Sequence, residues 1–83
     1  MKKKIAIIGS TGSIGQTLLN IIKKNKHKFE IILLTADKSH ETLLNQAKEF
    51  EVKNLIITDK ISYEKLKYKT KFTKIKVFNE FNK

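Results

Sequence analysis

The chain has 83 residues and a formal net charge of +10, which is room for one small domain or a piece of a larger one. Its 40% hydrophobic content is too high for a disordered chain, and with no cysteine there is neither a disulfide framework nor a thiolate metal site. The longest apolar runs, such as Ile31–Leu34, are far too short for a membrane span or for a secretory segment behind Lys2, Lys3 and Lys4, so a cytoplasmic protein without membrane contact is expected.

Every positive side chain is a lysine. A charge this large suggests an anionic partner. Arginine, whose fork reads guanine edges and clamps phosphates, is absent, so sequence-reading nucleic-acid binding is not expected. Most of the lysines read as a solvated surface. The two histidines, His27 and His40, cannot make a zinc site alone.

Ile5–Ile8 is an unbroken apolar run of the kind found in parallel strands covered on both faces. After a glycine-rich segment, Ile14, Leu18, Ile21 and Ile22 recur at helical spacing and predict the buried face of a first helix. Lys23, Lys24, Lys26 and Lys28 follow, where positive charge suits the helix C-terminus. Phe29–Leu34 reads as a second strand and Thr35–His40 as a polar connection. Ser39 is the expected N-cap of a second helix with its stripe on Leu43, Leu44, Ala47 and Phe50. Leu55–Ile57 is a third strand, Tyr63–Tyr68 a short third helix, and Ile75, Val77 and Phe78 a short fourth strand. This alternation predicts an α/β fold, a partial Rossmann-like doubly wound parallel sheet of βαβαβ order with a short fourth strand. No linker or second domain is marked within residues 1–83.

All three glycines fall in one heptapeptide, Gly9-Ser10-Thr11-Gly12-Ser13-Ile14-Gly15, between the first strand and the first helix. The spacing is GxxGxxG rather than GxGxxG, and the strand–loop–helix setting makes it a dinucleotide-binding signature. Gly9 permits a tight turn, Gly12 lets backbone approach a pyrophosphate, and Gly15 allows close packing of helix on strand. Free N–H groups at the helix start would bind the phosphates, with Ser10, Thr11 and Ser13 adding hydroxyl donors. A Gly-Lys-Ser/Thr ending is missing, so this is not a P-loop.

An acidic residue about 20 positions beyond the glycines favours NAD by holding a ribose hydroxyl. Asp37 lies 22 residues past Gly15, just after the second strand. Lys38 and Ser39 follow immediately, and a lysine beside a hydroxyl suits the 2′-phosphate of NADP. The two signals compete, with a slight lean to NADP.

The segment Ile5–Gly15 resembles the start of 1-deoxy-D-xylulose 5-phosphate reductoisomerases. Thr17-Leu18-Leu19-Asn20 is similar to the family's Thr-Leu-Asp first-helix segment, and Asn25, Lys28 and Phe29 to its approach to the second strand, with Lys26 where the family has proline. Ala36-Asp37-Lys38-Ser39 stands where the family has Ala-Gly-Lys-Asn. The resemblance is good to about Asp59. It implies an NADPH-dependent enzyme of the non-mevalonate isoprenoid pathway that converts 1-deoxy-D-xylulose 5-phosphate to 2-C-methyl-D-erythritol 4-phosphate. A divalent Mg²⁺ or Mn²⁺ serves that reaction, and its ligands are not expected in this chain. The resemblance places Thr11, Gly12, Ser13 and Ile14 against NADPH, and Lys38 and Ser39 near its 2′-phosphate. With Gly9, Ser10, Gly15, Ala36 and Asp37 these make up the candidate cofactor site. Asp37 in place of glycine would be strained if the backbone there needs a positive φ.

Full-length members are expected to act on a small-molecule substrate and to be homodimers. This chain would supply only the N-terminal part of the NADPH-binding domain, without catalytic groups, and in isolation it is expected to be marginally stable and inactive. Glu41, Glu49, Glu51 and Glu64 read as ordinary surface carboxylates. Two other readings stand beside this one: a segment of another NAD(P)-dependent reductase, and a small basic module for nucleic acid or an acidic surface. The strand order 3-2-1 is expected, leaving the outer edge of the first strand bare or paired with the short fourth strand.

Overall fold

The computed structural model describes residues 2–80. In chain order they form β1 (Lys3–Ile7), α1 (Ser13–Lys23), a 3₁₀ turn (Lys26–Lys28), β2 (Phe29–Ala36), α2 (His40–Phe50), β3 (Asn54–Ile57), α3 (Lys60–Lys69) and β4 (Lys76–Phe78). The four strands are parallel and lie side by side in the order β1-β2-β3-β4. Each connection is therefore a helical crossover, as the alternating sequence pattern requires. The fourth strand pairs with β3, so none of the described residues pairs with the outer edge of β1.

One core holds the layers together. Ile7, Ile31, Leu34, Ala36, Leu55 and Ile57 from the sheet meet Leu19 and Ile22 of α1, Leu43, Leu44 and Ala47 of α2, and Leu66 of α3 in a single cluster. All three helices thus cover the same face of the sheet. The opposite face carries exposed Ile8, Ile32 and Phe78, with Ile56 buried outside the main cluster. A register shift between Ile5 and Ala6 pairs Ile5 with Ile31 and Ala6 with Leu33. The extra residue, Ile32, lets both Ile31 and Leu34 face the helices.

The face of α1 matches the expected one only at Ile22, which is buried. Its buried residues are Gly15, Leu19 and Ile22, while Ile14 is 79% exposed and Leu18 and Ile21 are about half exposed. Apolar residues occupy two sides of this helix. The side that packs is chosen by Gly15, which has no side chain to signal it.

The other elements follow local chemistry. Strand β2 runs on through Thr35 and Ala36, two residues beyond the expected end, because both are buried and extend the parallel ladder to β3. Ser39 is the N-cap of α2, although its side chain makes no capping bond. Helix α3 begins three residues earlier than its apolar spacing suggests. Asp59 caps it by accepting hydrogen bonds from the Ser62 N–H at 3.0 Å and the Ser62 hydroxyl at 2.9 Å. Exposed ion pairs, Lys23 with Glu49 at 2.9 Å and Lys69 with Glu41 at 3.4 Å, link neighbouring helices and add little stability. No helix among the described residues is long and apolar enough to cross a membrane.

The Asp59 cap has a pH signature. Hydrogen bonds from the Ser62 N–H and hydroxyl hold the Asp59 carboxyl below its ordinary pKa, with smaller help from Lys38 and Lys65. A lowered folded pKa means that the charged cap stabilises the fold at neutral pH, and this contribution is lost as pH falls below about 4. Replacing Asp59 by alanine is expected to lower the melting midpoint at pH 7. Thermal melts should show the gap to wild type narrowing below about pH 4 as the wild-type carboxylate is neutralised.

Candidate nucleotide-binding site

The glycine segment sits at the carboxyl end of β1, where ligands bind open parallel sheets. Each glycine there has a different reason. Gly9 has φ +70°, in the left-handed region that side-chain-bearing residues enter at a cost. At Gly15 a Cβ would lie 2.4 Å from the Gly9 carbonyl oxygen and 2.6 Å from the Ser10 Cα. Helix α1 therefore touches the loop backbone directly. Gly12 is unlike both. Its backbone is extended, it is exposed, and an added Cβ would meet only the Gly9 oxygen at an ordinary 3.6 Å. Nothing inside the fold demands glycine at position 12. The space its missing Cβ leaves open faces outward, at the N-cap of α1.

Beyond Gly12, the N–H groups of Ser13 and Ile14 open the helix, and none of the described residues accepts from them. The first intrahelical bond runs from the Gln16 N–H to the Gly12 carbonyl at 2.9 Å. Ser13 and Ile14 are exposed and Thr11 half-buried. These donors, with the positive end of the helix dipole, form an anion cradle. A pyrophosphate fits this donor set, and the backbone at Gly12 leaves room for it.

Two candidate residues have other roles. Ser10 is fully buried, and its hydroxyl donates to Gln46 Oε1 at 2.7 Å rather than facing outward as a phosphate donor. Ala36 turns its side chain into the core, and its carbonyl accepts from the Thr58 N–H at 3.1 Å. Both shape the site from behind.

The second half of the site follows β2. Asp37, Lys38 and Ser39 are exposed between the strand end and α2. The backbone at Asp37 has no positive φ, so aspartate is accommodated there without strain. Its carboxylate accepts from the Thr58 hydroxyl at 2.6 Å. Thr58 follows β3, which flanks β2 on the side away from β1. The bond therefore draws the carboxylate toward β3 and away from the glycine loop. Lys38 and the uncommitted Ser39 hydroxyl remain beside it. The two halves are joined through Thr35: the Ser10 N–H donates to its carbonyl at 2.9 Å, and the Gly9 N–H to its side-chain hydroxyl at 2.9 Å.

Three residues of this constellation escape sequence reasoning: Thr35, Gln46 and Thr58. Gln46 alone left a trace, as a polar residue at helical spacing within the apolar stripe of Leu43, Ala47 and Phe50. Thr35 and Thr58 look like ordinary residues at strand ends. Glu49 is exposed as expected; its carboxyl is held below the ordinary range by the hydrogen bond from Lys23. Among the described residues no group of three or more His, Cys, Asp or Glu could hold a metal. A broad groove of about 720 Å³ lies at the opposite end, near the strand starts, walled by Lys2, Lys26, Lys53, Lys74, Glu30 and Glu51 among others. Its solvated lysines and glutamates define no fixed donor set.

A parallel sheet with alternating helices and a glycine-rich first strand-to-helix turn defines a Rossmann-like α/β domain, the class of fold in which nucleotides bind at this turn. The model of the 1-deoxy-D-xylulose 5-phosphate reductoisomerase family matches residues 5–81, and the chain belongs to that family. It is 51% identical over 80 residues to the reductoisomerase of Pelagibacter ubique, covering 96% of this chain and 21% of the relative. It is 40% identical over 78 residues to that of Thermodesulfovibrio yellowstonii, covering 94% of this chain and 20% of the relative. The solved Zymomonas mobilis reductoisomerase in complex with NADPH superposes with a TM-score of 0.87 at 28% identity, over 94% of this chain and 21% of that one. A reductoisomerase in complex with NADPH, fosmidomycin and magnesium gives 0.85 at 28% identity, over 92% of this chain and 19% of that one. The chain thus spans about one fifth of the length of the relatives it matches.

The crossing at Gly15 makes a direct prediction. Gly15→Ala would push a methyl group into the Gly9–Ser10 backbone and should destabilise the fold by about 1–3 kcal/mol. Urea titration of the two proteins measures this; equal midpoints would contradict the contact.

Proposed function

We propose that this chain is the NADPH-binding segment of a 1-deoxy-D-xylulose 5-phosphate reductoisomerase, acting in the non-mevalonate isoprenoid pathway. The observation that carries the reading is Gly12, a glycine required neither by backbone angle nor by internal packing, exposed beside open N–H groups at a helix start. A ligand phosphate gives it a reason. The N–H groups of Ser13 and Ile14 would hold the pyrophosphate, with the Thr11 and Ser13 side chains at its edge. Lys38 and Ser39 would receive the adenosine 2′-phosphate. Thr58 keeps the Asp37 carboxylate from repelling it.

Bound NADPH supplies the hydride that reduces the aldehyde formed when 1-deoxy-D-xylulose 5-phosphate rearranges, giving 2-C-methyl-D-erythritol 4-phosphate. The residues present here bind and orient; they contain no acid–base set for the rearrangement. Substrate contacts and the ligands for Mg²⁺ or Mn²⁺ would come from the remainder of a full-length reductoisomerase. The 83-residue chain alone is therefore expected to bind cofactor without turnover. A cytosolic site of action and a homodimeric full-length enzyme come with the family resemblance and are part of this proposal.

Calorimetric titration with NADPH and NADH tests the reading. NADPH should bind, and NADH more weakly. In Gly12→Asp, a capping residue at least as favourable as glycine keeps the fold intact while its charge opposes the pyrophosphate. That variant should melt at or above the wild-type midpoint yet lose at least about tenfold in NADPH affinity, as expected from a like charge at short range. Unchanged affinity would rule out a pyrophosphate at this turn.

Thr58→Val frees the Asp37 carboxylate. The preference for NADPH over NADH should then fall, by about threefold to tenfold for the loss of one charge-assisted hydrogen bond. Titration of the variant with both cofactors gives the ratio directly, and an unaltered ratio would show that Thr58 does not govern it.

A further inference from the structure

We propose that Gln46 is a positioning residue for the phosphate-binding turn, fixing its distance from the subsite for the adenosine 2′-phosphate. This rests on the cofactor reading above. Gln46 lies on α2, is only 8% exposed, and uses both ends of its amide on one partner. Its Oε1 accepts from the Ser10 hydroxyl at 2.7 Å, and its Nε2 donates to the Ser10 carbonyl at 2.9 Å. Ser10 itself is fully buried. A side chain needed only to fill the core at this place could be leucine or methionine. A glutamine with two matched bonds to a single residue instead fixes where that residue's backbone lies.

The turn is clamped one residue at a time. Thr35 of β2 holds the Gly9 and Ser10 N–H groups. Gln46 of α2 holds the Ser10 side chain and carbonyl. Gln16 of α1 donates to the Thr11 carbonyl at 2.7 Å. The open N–H groups of Ser13 and Ile14 follow directly on this clamped segment, so their direction is set by these clamps. Of the three, only Gln46 belongs to the helix that begins directly after Lys38 and Ser39. The same rigid helix thus carries the residues proposed for the 2′-phosphate at its start and grips the pyrophosphate turn two turns later. A dinucleotide phosphate must engage both places at once, whereas adenosine 2′-monophosphate engages only the first.

That difference gives the test. NADP⁺ and adenosine 2′-monophosphate are titrated into the wild-type chain and into Gln46→Leu, which keeps the volume but removes both bonds. NADP⁺ affinity should fall by about tenfold or more, the effect of losing buried hydrogen bonds, while adenosine 2′-monophosphate affinity changes by less than about twofold. Ser10→Ala, a smaller change, should give the same selective loss to a lesser degree. Amide hydrogen exchange provides a ligand-free readout: the Gly9 and Ser10 amides should lose protection relative to Leu55 in β3. Undiminished NADP⁺ affinity, or a parallel loss for both ligands, would overturn the assignment. If the wild-type chain binds neither ligand, the cofactor reading fails separately, and the positioning role is decided by exchange: unchanged protection ratios for Gly9 and Ser10 overturn it.

Discussion

A Cβ on residue 15 would stand 2.4 Å from the Gly9 carbonyl oxygen, so helix α1 can meet the end of β1 at this distance only with glycine at the crossing. Much of the molecule depends on that contact. It lets the helix start within a few residues of the strand and pass directly over the turn. The open N–H groups of the first helical turn then face outward at the carboxyl edge of the sheet, where an anion can reach them. The same contact orients α1 so that Leu19 and Ile22 enter the core while Ile14, Leu18 and Ile21 remain on the surface. Gly9 makes the turn possible through its positive φ, and Gly12 leaves its outer surface clear. The three glycines divide the work between backbone, packing and access.

A site held from three sides suits the binding of a flexible dinucleotide. Interactions with strand β2, helix α1 and helix α2 converge on residues 9–11, and every buried side-chain polar atom among the described residues has a partner. A satisfied buried network of this kind favours one geometry over near alternatives. By contrast, the charged surface is loosely organised. The ion pairs are exposed, and lysines are spread over all helices and both ends of the sheet. The net charge of +10 raises the local concentration of an anionic ligand without choosing its position. Under the proposed function, selection falls to the backbone donors at the turn and to the few side chains after β2.

The order of elements and the place of the turn were legible in the sequence because both rest on strong local signals. Apolar runs mark the strands, although only the face under the helices is covered, and three glycines between a run and a helical repeat mark the cradle. The face of α1 was not legible, because Ile14, Leu18 and Ile21 are as apolar as Leu19 and Ile22. The residue that decides between them, Gly15, is silent in a hydrophobic pattern. Helix α3 began earlier than its weak apolar spacing implied because its start is set by the Asp59 cap. In the site, Ser10 and Ser13 look alike on paper. One is sealed by a glutamine 36 residues away and the other is open. Long-range hydrogen bonds of this sort, including Asp37 with Thr58, follow from how the loops and helix α2 meet in three dimensions, which no local pattern encodes.

The most direct test of a rigid phosphate cradle at this turn is an amide shift map of the ¹⁵N-labelled chain during NADPH titration. Binding as described predicts the largest shifts at Gly12, Ser13 and Ile14, with a second group at Lys38 and Ser39 and little change in β4. Shifts centred instead on the groove at the opposite end, at Lys26, Lys53 and Lys74, would place the anion on the basic surface and contradict the cradle.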